Sequence, residues 1–166
     1  MRKLRVGLFL LAYVGFVAAY LVGAGIPISG WLAEHIYEVM ERQFTGLPAK
    51  PGPALKIFLH NALVCVLTSA PFVGPFALLL SAFSTGLAVN ALIVVRGLPR
   101  AAALWLLAKP FTILEVAAYS LAAGEAAYMS VVRDWRGEKL KYLACLLGAM
   151  AILAVAAAIE ASTMGF

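Results

Sequence analysis

From residue 101 to residue 132 the chain is almost continuously apolar, with Lys109, Glu115 and Glu125 the only charged side chains in 32 residues. A straight helix of that length would measure about 48 Å, against a bilayer hydrocarbon core of about 30 Å. The run therefore cannot be one straight span. Lys109-Pro110 is the natural break, because proline lacks the amide donor and clashes with the preceding turn. The expectation is a half-helix over 101–108, re-entrant or lying in the interface, followed by a full span over 110–132.

The rest of the chain has the same character. Hydrophobic residues make up 64% of its 166 residues and charged residues 13%, where soluble domains average about 45–50% and 25%. A soluble fold would expose large apolar patches, and disorder needs low hydrophobicity. The remaining class is an all-α polytopic membrane protein in one membrane domain, 1–166. Further apolar runs predict spans at 6–26, 54–70, 76–95 and 142–163, five in total with 110–132. The start, with Arg2, Lys3 and Arg5 before an apolar run, also fits a secretory signal. At about 21 residues the run is longer than a signal core and long enough to span.

Between the first two spans, Leu32, Ile36, Val39, Met40 and Phe44 recur at helical spacing, with Glu34, Glu38, Glu41 and Arg42 opposite. This predicts an amphipathic helix over 29–44, N-capped by Ser29 and lying on the membrane surface or over the bundle mouth. Pro48, Pro51 and Pro53 make the following segment a stiff loop, and residues 133–141 read as a charged loop. Small residues recur on helical faces: Gly15, Ala19 and Gly23; Ala82 and Gly86, leading to Asn90; Ala118 and Ala122; Ala144 and Gly148; Ala154 and Ala158. Such faces let helices approach closely.

The net charge is +5. The basic residues are dispersed and form no aromatic-interleaved stripe, so they suit anionic headgroups rather than nucleic acid. Seven basic residues (Arg2, Lys3, Arg5, Arg133, Arg136, Lys139, Lys141) fall on one expected side and five (Arg42, Lys50, Lys56, Arg96, Arg100) on the other. The positive-inside rule then places the N-terminus in the cytoplasm and the C-terminus outside.

Charged groups at mid-bilayer cost on the order of 2.5–3.5 kcal/mol even on the lenient scale, which singles out Lys109, Glu115, Glu125 and Glu160, with Asn61 and Asn90 as further polar groups. Taking Glu115 as 0°, Glu125 falls at about 280°, with Ala118, Ala122 and Ala126 between or beside them. One alanine-paved stripe thus carries both carboxylates and must face protein or water. They either line a proton, ion or substrate pathway or hold helices together by hydrogen bonds. Lys109 either belongs to such a site or snorkels to the interface. His60, beside Asn61, has no second ligand at metal spacing, and Cys65 and Cys145 sit in apolar runs as small hydrophobes. Trp31, Trp105 and Trp135 suit interfacial belts. Neither a catalytic motif nor a metal or cofactor site is expected.

Some of these residues also form a pattern. The run from Pro110 through Glu115 to Ala118, followed by Gly124, resembles the Pro-His-Gly-x-x-Glu-x-Pro-Ala signature of the stage II sporulation protein M family. Phe111, Thr112 and Ala117 stand where that family has His, Gly and Pro. Residues 57–61, ending in His60-Asn61, resemble its aromatic-Asn entry to span two. Gly86 fits its Asn-Gly step, with Thr85 in place of Asn, and Glu160 resembles its C-terminal membrane Glu. The resemblance covers about residues 54–162. It implies a five-span protein without known enzyme activity, which in spore-forming bacteria works with peptidoglycan-remodelling partners. Two functions are therefore expected to compete. One is a non-enzymatic membrane protein assembling with itself or with other membrane proteins in envelope organisation. The other is a small transporter or channel using Glu115 and Glu125.

Overall fold

A computed structural model describes residues 2–45, 52–132 and 134–163. Pro48, Lys50 and Pro51 of the expected loop, Arg133, and the side chains of Phe44 and Pro53 lie outside the described residues. The described residues form seven helices in order: α1 (Arg2–Gly25), α2 (Gly30–Thr45), α3 (Pro53–Ser69), α4 (Gly74–Arg96), α5 (Ala101–Leu107), α6 (Pro110–Val131) and α7 (Trp135–Thr163). Among the described residues the fold is all-α.

Among the described residues, three helices are long and apolar enough to cross a membrane: α1, α4 and α7. A fourth crossing results if α5 and α6 count as one span, bent by 68°. The bend falls where expected from Lys109-Pro110: Lys109 is extended (ψ 140°) and Pro110 occupies the first turn of α6, where no amide donor is needed. The 17-residue α3 is a shorter apolar helix.

Two boundaries differ from the sequence reading. α1 begins at Arg2, not residue 6, because Lys and Arg are good helix formers and hydrophobicity marks only the buried part. Residues 135–141, read as loop, are the first turns of α7. Asp134 starts them: its Oδ1 accepts the Gly137 amide at 3.0 Å, an N-capping bond.

α6 occupies the centre, touching α1, α3, α4 and α7, with 11 of its 22 residues buried. The tightest pairing is between α1 and α4, which run parallel. There the expected small faces meet one another. A Cβ on Gly23 would collide with the Phe83 carbonyl, and one on Gly86 with the Tyr20 carbonyl. Gly15 faces Leu79, Ala19 packs on the core, and Ala82 is fully buried. Gly124 of α6 similarly admits the backbone of Phe9.

Polar side chains close the helix ends. Asn90 Nδ2 donates to the Ile26 carbonyl at 2.6 Å, satisfying backbone just beyond α1. Tyr142 donates to the Ser69 carbonyl at 2.6 Å, and Ser130 Oγ accepts the Phe72 amide at 2.7 Å, fixing the α3–α4 turn. Gly97, at φ 63°, ends α4, with Leu98 N–H bonded to the Ile93 carbonyl at 2.9 Å. Buried Tyr20 donates to the Ala103 carbonyl at 3.0 Å and so fastens α5 to α1. α2 begins with the Leu32 amide donating to Ser29 Oγ at 3.3 Å and packs on α4. Across that contact Arg96 donates to the Tyr37 hydroxyl at 2.6 Å.

Candidate functional site

The chain alternates direction so that the start of α1, the end of α6 and the start of α7 lie at one end of the bundle. Arg5 sits there in the second turn of α1. Its Nε is 3.1 Å from Glu125 Oε1 of α6, and its Nη2 donates to Glu138 Oε2 of α7 at 2.7 Å. Lys141 donates to Glu138 Oε1 at 3.1 Å, one turn further along α7. The Arg5 guanidinium lies 4.3 Å from the Tyr128 ring centroid, a cation–π contact. Glu125 and Glu138 are 5% and 6% exposed. Two cations and two carboxylates cancel, as charges held in such a place require. The cluster ties three helices together. The Cys145 thiol approaches the same Glu125 carboxylate from α7.

Glu115 belongs to a second group, ten residues or about 15 Å along α6 toward the other end. Asn61 Nδ2 of α3, largely buried, donates to Glu115 Oε1. Glu160 of α7 is within electrostatic reach of Glu115, as is the Tyr119 hydroxyl. Tyr119 in turn stacks on Phe16 of α1, with centroids 6.4 Å apart. The Asn61–Glu115 bond therefore joins α3 to α6.

The alanine-paved stripe is thus divided between two environments. Glu125 faces an arginine and Glu115 faces an amide and a second carboxylate. Ala118 and Ala122, between them, are buried against neighbouring helices. The structure brings Asn61 and Glu115 together, with Glu160 within electrostatic reach. Asn90 lies apart, on the α1 terminus. Lys109 also lies apart, its ammonium 3.3 Å from the Trp105 ring centroid. His60 is exposed, and His35 stacks on Trp31 at 5.9 Å. Among the described residues, no three His, Cys, Asp or Glu side chains are grouped to hold a metal.

Sequence reasoning misses the partners Arg5, Glu138, Lys141 and Tyr128. Arg5 enters only as a topogenic charge, and Glu138 and Lys141 as loop residues. The signal that could have found them is topological: an even number of crossings between residue 5 and residue 125 would place both at one end, where a buried carboxylate needs a cation. Comparison with protein-family models, characterised proteins and solved structures finds no match to this chain.

Proposed function

We propose that this chain is a non-enzymatic integral membrane protein that assembles with a second copy of itself, or with partner membrane proteins, in organising the cell envelope. In this reading it crosses the bilayer five times, with α3 as the short fifth crossing, the N-terminus cytoplasmic and the C-terminus outside. Seventeen residues is the lower limit for a crossing.

The observation that carries the proposal is the outer face of α7. The small faces of α1, α4 and α6 are used inside the subunit, but that of α7 is not. Ala144, Gly148, Ala151, Val155 and Ala158 alternate at spacings of four and three, the seam of a helix pair. Ala144, Ala151, Val155 and Ala158 are exposed, and a Cβ on Gly148 would meet nothing within 4 Å. Meanwhile Arg5 pairs with one oxygen of Glu125 and Asn61 bonds Glu115, so both carboxylates contribute to helix association within the subunit. Two of the residues shared with the stage II sporulation protein M pattern, Asn61 and Glu115, meet in one such contact.

Oxidative cross-linking in native membranes tests this. With Cys65 and Cys145 replaced by alanine, Ala151→Cys forms a disulfide-linked dimer while Leu10→Cys, on the far helix α1, does not. Gly148→Leu lowers the dimer fraction at least tenfold without lowering the melting temperature of the subunit. Equal cross-linking at both positions refutes the α7 interface. A transport reading retains one supporting observation, that Glu160 of α7 lies within electrostatic reach of Glu115 of α6.

A further inference from the structure

A groove of about 360 Å³ runs between α1, α6 and α7. Ala117, Leu121 and Gly124 of α6 line it, with Phe9 of α1 and Ile152 of α7 to either side. It is open at the rim, where Val6 is 51% exposed. One end reaches Arg5 and Glu125. There, Glu125 Oε2 is buried without a hydrogen-bond partner, while Oε1 pairs with Arg5 Nε at 3.1 Å. An apolar trough thus ends at an acceptor needing a donor, the unmet state that a ligand relieves.

Depth and charge identify the ligand. Glu125 lies six residues from the end of α6 and Arg5 three from the start of α1, about 9 Å and 5 Å inside the helix ends. That is the level at which the headgroup layer, roughly 5–8 Å thick on each side, meets the hydrocarbon. Arg5 and Lys141 balance Glu125 and Glu138, so the cluster itself is neutral and matches a headgroup carrying both signs. An ethanolamine headgroup offers ammonium N–H donors to Glu125 Oε2 and phosphate oxygens to Arg5. A choline headgroup carries the same charges but no N–H. We infer that this groove binds one ethanolamine phospholipid, an acyl chain lying over Ala117, Leu121 and Gly124 and the ammonium donating to Glu125.

Native mass spectrometry of the full chain in detergent tests this, titrating in dioleoyl phosphatidylethanolamine, its N-methyl and N,N-dimethyl forms, and phosphatidylcholine. The expected result is one lipid per chain. The three lipids bearing an N–H bind within about threefold of one another, and phosphatidylcholine binds about tenfold more weakly, the scale of one hydrogen bond to a charged group. Glu125→Gln narrows that gap below threefold. Ala117→Phe or, should that variant not fold, Leu121→Trp fills the trough and removes the adduct. Equal binding of ethanolamine and choline lipids by the unmodified chain overturns the inference. So does an adduct that survives either filled trough in a protein melting like the parent.

Discussion

Replacing Gly86 by alanine puts a methyl group into the close backbone contact between α1 and α4. The new Cβ would fall on the Tyr20 carbonyl oxygen and lie 2.9 Å from both the Tyr20 carbonyl carbon and the Ala24 nitrogen. These are backbone atoms of α1 and cannot rotate aside, so α1 and α4 must separate. Gly23 faces the Phe83 carbonyl in the same stretch, and Asn90 bonds the Ile26 carbonyl just beyond it, so the separation spreads to both. Overpacking of this kind costs about 1–3 kcal/mol, and a weakened Asn90 bond adds up to about 1 kcal/mol. Alanine returns about 0.5–1 kcal/mol of helix preference. The expected net loss is roughly 1–3 kcal/mol. Gly148→Ala is the matched control: with open space around it, only the helix preference remains, and stability rises by about 0.5–1 kcal/mol. Unfolding in mixed micelles with increasing dodecyl sulfate, followed by alkylation of the fully buried Cys65, reads both. A Gly86→Ala protein as stable as Gly148→Ala would refute the α1–α4 contact.

Two further perturbations address the charged groups. Arg5→Met leaves Glu138 with Lys141 but strands Glu125, and should cost about 3 kcal/mol, at the low end for a broken buried pair because the Arg5 side chain is 21% exposed. Adding Glu125→Leu should restore at least half of that loss in the same unfolding assay; additive losses would deny the pairing. Glu115→Gln should leave stability nearly unchanged, since an amide can still accept from Asn61, whereas Glu115→Leu should cost roughly 1–3 kcal/mol by orphaning it. Proton flux in liposomes that is present in the parent and abolished by Glu115→Gln would shift the balance to transport.

The helix class and the break before Pro110 are legible because each follows from a local rule: long apolar runs must be helical in lipid, and proline cannot continue a helix from within. The small faces are legible as faces, but not their pairing. That Gly23 meets the backbone of α4, while Gly148 meets nothing, depends on which helices become neighbours. The carboxylates show the same limit. Helical angles correctly put Glu115 and Glu125 near one stripe, yet about 15 Å of rise separates them, and different helices cross the stripe at each level. Arg5 is hidden for another reason. Near the start of an apolar run a basic residue reads as an orientation signal, and only the folded chain shows it turned inward against two acids.

The Arg5 cluster joins residues 133 positions apart, and this sets an order of events during synthesis. The cation is made first. At about 5–20 residues per second, roughly 7–27 s pass before Glu138 is polymerised. Throughout that interval the Arg5 guanidinium is without its Glu138 partner. Glu125 then enters the membrane toward a counter-charge already in position, so the acid is never the first of the pair to be left alone. A chain built in the reverse order would have to insert its carboxylates unaccompanied.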